Sequence, residues 1–352
     1  MKKTLICIYM TAMLALLTAC GAKDGEQSHL AEAENAIATL QYDSAVSHAE
    51  QAVKAGESPR EALRLKGIAC LKNAQYEDAV SAFREALAMS DGIVTDMDYD
   101  MNLYLASACM GTGDFDGAVA VYDHILALKP ADVASLYARG AALLQDGKLA
   151  EATKDFDRAS EIAPRDFALR VDIYRAYAQA GYEDAGKAVM SEAFHTYEAA
   201  MSHYEKGMFA FYMGNNAEAQ SYLEKAMTSV RGSEKAQVAL LLGQTGEKQG
   251  DLGYAINVYS AALEEGGQLG ALYNRRGMCY MAQAEYQNAV SDFEKGLALG
   301  ETATHQALLR NEIAAYEYAG NFKRASELMK EYAALYPDDA EAAREAVFLK
   351  TR

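Results

Sequence analysis

Small residues recur along this chain at a period near 34. An alanine set in helix-type apolar spacing stands at Ala45, Ala79, Ala118, Ala152, Ala185, Ala219, Ala255, Ala289 and Ala325, at steps of 34, 39, 34, 33, 34, 36, 34 and 36 residues. Other positions keep time with it. Twelve residues earlier lies a small residue in most units: Gly67, Ala106, Gly140, Gly207, Gly243 and Gly277. Three earlier lies an aromatic or a leucine (Tyr42, Tyr76, Phe115, Leu149, Tyr182, Leu252, Tyr286, Phe322), from which Asn216 departs. Four later lies a large apolar residue (Phe83, Tyr122, Phe156, Leu223, Tyr259, Phe293, Met329), from which Ala49 departs. Gly113, Gly147, Gly214, Gly250 and Gly320 fall between the apolar stretches and read as turns. Pro130, Pro164 and Pro337 end stretches, and Pro59 lies two residues beyond the equivalent place; proline suits positions outside a helix interior. A period near 34 predicts stacked helix-turn-helix units, with small residues letting paired helices approach closely.

These residues resemble the tetratricopeptide repeat family. The resemblance covers almost all of the chain after its N-terminal stretch. It implies an all-α fold, a right-handed superhelical solenoid of about nine repeats over 29–352. The repeats fall at about 26–59, 60–93, 99–132, 133–166, 166–199, 200–233, 236–269, 270–303 and 306–339, the first and fifth being degenerate. Five additional residues around Gly92 to Asp98 separate the second and third. Asp338-Asp339 can cap a closing helix over 340–350, which a solenoid needs to cover its last apolar face.

In that family the first helix of each repeat lines a concave groove that takes a protein or peptide partner. Carried over, the groove positions include Tyr104, Tyr137, Tyr174, Tyr177, Tyr204, Met208, Phe211 and Tyr212. Tyrosine offers apolar area with a hydrogen-bonding tip, and methionine adapts to irregular shapes, which suits a docked apolar peptide or helix. The same stripe also suits packing between repeats. Further along, the positions become Asn274, Arg275, Met278, Arg310 and Asn311, whose basic groups suit an acidic or C-terminal carboxylate. The carboxylate clamp of chaperone-binding family members is not reproduced, since its Lys and Asn are absent from the N-terminal repeats.

The first twenty residues follow another logic. Lys2 and Lys3 precede an apolar run from Leu5 to Leu17, shorter than the roughly 20 residues a spanning helix needs. The run ends in Leu17-Thr18-Ala19-Cys20, which resembles a bacterial lipobox. That resemblance implies a lipoprotein signal peptide over 1–19, a diacylglyceryl lipid on Cys20, and a tether over 20–28. It further implies an exported body, anchored to the outer face of the cell membrane or to an outer membrane. More than one acyl chain makes such an anchor stable.

Charge narrows the partners. The net charge is −17, from 33 basic and 50 acidic residues. Loss of 1–19 removes two lysines and gives −19, from 31 and 50. Such a body lacks the basic footprint of a nonspecific nucleic-acid binder, and anionic headgroups repel it, so the lipid must hold it. No catalytic set is found. The six histidines show no i,i+4 pair, so no metal site is expected. Asp96, Asp98 and Asp100 open like a calcium loop, but Met101 and Ser107 stand where Gly and Glu belong, leaving a solvated loop with a helix cap. Cys70, Cys109 and Cys279 fall at helix packing positions and are expected as free thiols. The expectation is a non-enzymatic, membrane-anchored interaction scaffold for envelope or surface-complex assembly, without cofactor and of open oligomeric state. The alternative is a regulatory partner of an envelope enzyme such as a cell-wall hydrolase or protease.

Overall fold

The computed structural model describes residues 28–337 and 339–351. The expected signal segment 1–19, the expected lipidation at Cys20, the expected tether up to residue 27 and Asp338 lie outside the described residues. Everything described is helix, turn or loop, and no described helix is long and apolar enough to cross a membrane.

The chain divides into two compact units, one ending at Asp155 and the other beginning at Phe156. The first holds α1 (His29–Ala38), α2 (Tyr42–Ala55), α3 (Pro59–Lys72), α4 (Tyr76–Ala88), α5 (Asp96–Thr112), α6 (Phe115–Leu128), α7 (Val133–Gln145) and the start of α8 (Leu149–Ile162). The second holds the rest of α8, then α9 (Phe167–Gln179), α10 (Glu183–Tyr197), α11 (His203–Tyr212), α12 (Asn216–Met227), α13 (Ser233–Gln249) and α14 (Leu252–Glu264). It continues through α15 (Gly270–Ala282), α16 (Tyr286–Ala298), α17 (Thr302–Tyr318), α18 (Phe322–Leu335) and the closing α19 (Ala340–Leu349). From α1 to α7 in the first unit, and from α9 to α19 in the second, each helix packs on its successor. Odd-numbered helices also meet, α1 with α3, α3 with α5, and α9 with α11 on through α17.

The small-to-large pairing is the core of each hairpin. A methyl placed on Gly67, Gly207, Gly243 or Gly277 falls within 2.1–2.7 Å of the side chain sixteen residues on: Phe83, Leu223, Tyr259 and Phe293. All four large residues are fully buried, each contributing about 1.5–3 kcal/mol of apolar transfer. The turn between paired helices uses one left-handed residue, at Leu40, Ala74, Gly113, Gly147, Gly181, Gly214, Gly250, Ala284 and Gly320.

Two expectations are corrected. In the fifth repeat the register lies one residue later than Ala185. Gly186 is the buried small residue, with Met190 and Ala193 buried four and seven residues on and Gly181 at the turn. The residues added to the longer steps lie only in part in loop, the α4–α5 connection over 89–95 being longer than those between the other repeats. They also extend α5, α13 and α17 to 17 residues each, against 13 or 14 in α3, α7, α9 and α15. Asp96, Asp98 and Asp100 therefore lie in helix, not in a solvated loop. Thr95 caps α5 in a reciprocal box with Asp98, whose carboxylate also pairs with Arg60 of α3, while Arg64 reaches Asp100 at 2.8 Å.

Candidate functional site

The fifth repeat inverts the small-to-large pairing. Tyr174 stands twelve residues before Gly186, where other repeats carry a glycine or alanine. A methyl on Gly186 falls 3.0 Å from the Tyr174 ring, so α10 yields room to the tyrosine. With no pocket to enter, the ring stays half-buried. It lies 5.5 Å from Tyr212 of α11, centroid to centroid, and its hydroxyl donates to Glu183 at 3.5 Å. Arg175, the next residue on α9, places its guanidinium 5.0 Å from the Tyr212 ring and donates to the Tyr212 hydroxyl. Asp172 holds the same guanidinium at 3.0 Å. Tyr204 and Met208 of α11 are half-buried beside them. On α13 the Lys248 ammonium sits 3.7 Å over the Phe211 ring, and burial pushes it below its ordinary value. Neighbouring first helices thus present a face of tyrosine and methionine with a guanidinium laid across it. Such a face can pack an apolar side chain and hydrogen-bond the backbone beside it.

Not every groove residue expected from sequence belongs there. Tyr177 is 1% exposed and packs edge-on to Phe156 at 5.1 Å. Phe211 is 5% exposed within the core that α11 shares with α12 and α13. Both are packing residues, because the shifted register turns Tyr177 inward and Phe211 borders the inward-facing Gly207. Tyr104 is half-buried and stacks on Phe83 at 5.7 Å, and Tyr137 is half-buried on α7. The basic positions already have internal partners. Arg275 pairs with Glu247 at 3.3 Å, Arg310 pairs with Glu345 at 2.7 Å, and Asn311 donates to Asn274 at 2.8 Å. Met278 remains exposed.

Sequence reasoning missed a polar cleft of about 600 Å³ between the end of α8, α9 and α10. Arg170 lines it at 6% exposure. One guanidinium nitrogen donates to the Ser160 carbonyl at 3.1 Å, and Nη1 is buried without a hydrogen-bond partner. Burial pushes this guanidinium below its ordinary value. Burial, then the charges of Glu192 and Glu161, push Asp157 above its own. The cleft offers a donor to a ligand carbonyl and acids to a ligand cation. The one sequence signal was the degeneracy of the fifth repeat.

Among the described residues the histidine, cysteine and acidic side chains bring one possible metal-ligand group together, His29, Glu32 and His48. A search for i,i+4 pairs misses it, because two members are i,i+3 on α1 and the third comes from α2. Cys70, Cys109 and Cys279 are free and buried.

Three family models, each described as tetratricopeptide repeat, match this chain: one over 70–140, one over 30–92 and 204–270, and one over 270–299. A tetratricopeptide repeat and J domain-containing co-chaperone, DNJ1 of Fusarium oxysporum f. sp. lycopersici, is 30% identical over 126 residues. That match covers 36% of this chain and 23% of the relative, so the chain spans under a quarter of the curated relative it matches. Among solved structures, yeast Tom70 matches with a TM-score of 0.50 and 12% identity, over 92% of this chain and 80% of that one. A tetratricopeptide repeat protein from Parabacteroides merdae matches with a TM-score of 0.45 and 17% identity, over 81% and 97%.

Proposed function

Because this chain is built of tetratricopeptide repeats, a fold that serves as a protein-interaction scaffold, we propose that it captures a peptide segment on the α9–α11 face while a lipid on Cys20 holds it at a membrane. The observation that carries the capture is the inverted pairing at Tyr174 and Gly186. It leaves a tyrosine out of the core and beside Tyr212 and Arg175, where a partner can reach it. The segment that fits carries an apolar anchor for the rings of Tyr174 and Tyr212, which Arg175, already held by Asp172, keeps in place. The anchor reading rests on Lys2, Lys3, the apolar run and Leu17-Thr18-Ala19-Cys20. An exported body tethered this way works in envelope or surface assembly, where confinement to a membrane raises its effective concentration toward partners.

A photo-crosslinker placed at position 212 tests the capture. It is expected to yield a discrete crosslinked partner from native membranes that the same crosslinker at Glu151, exposed on α8, does not yield. Equal yields from both positions contradict a binding face on α9 and α11. For the anchor, Cys20→Ser is expected to move the protein from the membrane fraction to the soluble one. Retention on carbonate-washed membranes contradicts lipidation at Cys20.

A further inference from the structure

The first hairpin has no large side chain at the central packing position of its second helix. Ala49 stands where most other repeats place an aromatic or leucine, and the buried residues of α1 and α2 are alanines, Ala33 and Ala36 against Ala45 and Ala49, with Leu30, Ile37, Val46 and Leu65 of α3 packed around them. Alanines bury little area, so α1 is weakly held by apolar packing alone.

Three polar side chains meet across the same hairpin. Ser28 caps α1, accepting from the Ala31 amide, and Glu57 accepts from the Leu30 amide at 3.1 Å, which fixes the turn that carries His29. Glu32, one turn on, directs Oε2 to 3.2 Å from His29 Nδ1 and 3.0 Å from His48 Nδ1 on α2. The two rings lie nearly parallel, 6.3 Å apart. The His48 contact lacks the alignment of a hydrogen bond, and its Nδ1 is sealed from solvent with no other hydrogen-bond partner. With its proton on Nε2, each imidazole turns an Nδ1 lone pair toward the Glu32 carboxylate, an arrangement that a cation between the three atoms would coordinate. Ligand atoms around tetrahedral zinc, at bond lengths of about 2.0–2.1 Å, stand roughly 3.3 Å apart. The observed separations of 3.2 and 3.0 Å are close to that edge.

We propose that His29, Glu32 and His48 bind a zinc-class dication that clamps α1 to α2 in place of the missing aromatic. Two nitrogens and one carboxylate oxygen suit zinc and its first-row neighbours over calcium or magnesium. With all three side chains partly exposed, a coordination position is left to water or to a ligand from outside. Binding to a site that exists only when the hairpin is formed stabilises the hairpin.

The test uses the untagged full chain in detergent, stripped with chelator and titrated with zinc, calcium or magnesium. The expected result is stoichiometric zinc uptake in the micromolar range or tighter, no comparable calcium or magnesium uptake, and slowed hydrogen exchange in α1 and α2. His48→Ala and the more exposed His29→Gln are expected to lose both uptake and slowing, with His124→Ala unchanged and circular dichroism the same in all. Absence of stoichiometric uptake, uptake unaltered in both variants, or equal uptake of calcium or magnesium overturns the proposal.

Discussion

A single backbone position ties the nine repeats together more tightly than any side chain. Five residues before each buried small residue the chain turns through the left-handed region, on glycine in six repeats and on Leu40, Ala74 and Ala284 in three. That conformation costs an L-residue roughly 1–2 kcal/mol, while glycine adopts it freely. Ala284→Gly is therefore expected to stabilise the second unit by about 0.5–1 kcal/mol, after glycine's larger unfolded-state entropy takes back part of the gain. Urea denaturation checks this, and an unchanged or lower midpoint contradicts it. The opposite sign holds inside the helices. At Gly243 a methyl group falls 2.1 Å from the Tyr259 ring, so Gly243→Ala is expected to cost about 1–3 kcal/mol by overpacking. The buried alanine was legible in sequence in eight of the nine repeats. It misled in the fifth, because Ala185 and Gly186 are adjacent small residues and only three-dimensional packing shows which one faces inward.

Helices absorb what the period does not. Steps of 36 residues became an extra N-terminal turn on α13 and α17, and the step of 39 was shared between an extended α5 and a longer connection before it. The added turn is held on α5 by Arg60 and Arg64 and on α17 by the Gly270 amide donating to Glu301 at 3.0 Å. A count of residues between alanines shows that something is inserted. It does not show that a capped, salt-bridged helical turn is formed. Helix α17 carries a second consequence. Glu312 is 4% exposed, and burial, then the charge of Glu294, push its carboxyl up to about 7, with Glu331 adding to this and Arg324 opposing it. Glu317 on the same helix also rises to about 7, through burial and the nearby Glu345. A raised acid holds its proton in the folded state across a range where the unfolded chain has released it. Stability of this end therefore falls as pH rises from about 4.5 to about 7 and levels off above. Glu312→Gln is expected to raise the melting temperature at pH 8 by a few degrees and to flatten its pH dependence. A melting temperature that falls between pH 5 and pH 7 as steeply in the variant as in the parent contradicts this account.

At the scale of the molecule, sequence period and family resemblance led to the all-α repeat architecture, while the anchor that the lipobox resemblance implies falls on residues outside those described. The proposed binding face was only half legible. The stripe of Tyr174, Tyr204, Met208 and Tyr212 was visible in sequence, but Tyr177 and Phe211 belong to the core, and Arg175 and Arg170 went unnoticed. Residue type shows where an aromatic falls, whereas exposure depends on what packs over it: Phe156 covers Tyr177, while Tyr174 faces Gly186 and stays half-buried. Arg275 and Arg310 taught the same lesson, since internal carboxylates already engage them. The central claim is that the inverted fifth repeat makes a binding face. Its most direct test is the affinity of the Tyr174→Ser/Tyr212→Ser double variant for the partner crosslinked from position 212, measured beside the parent chain. The account predicts at least about tenfold weaker binding, or roughly 1.4 kcal/mol, with helicity and melting temperature preserved. Parental affinity in a folded double variant contradicts it.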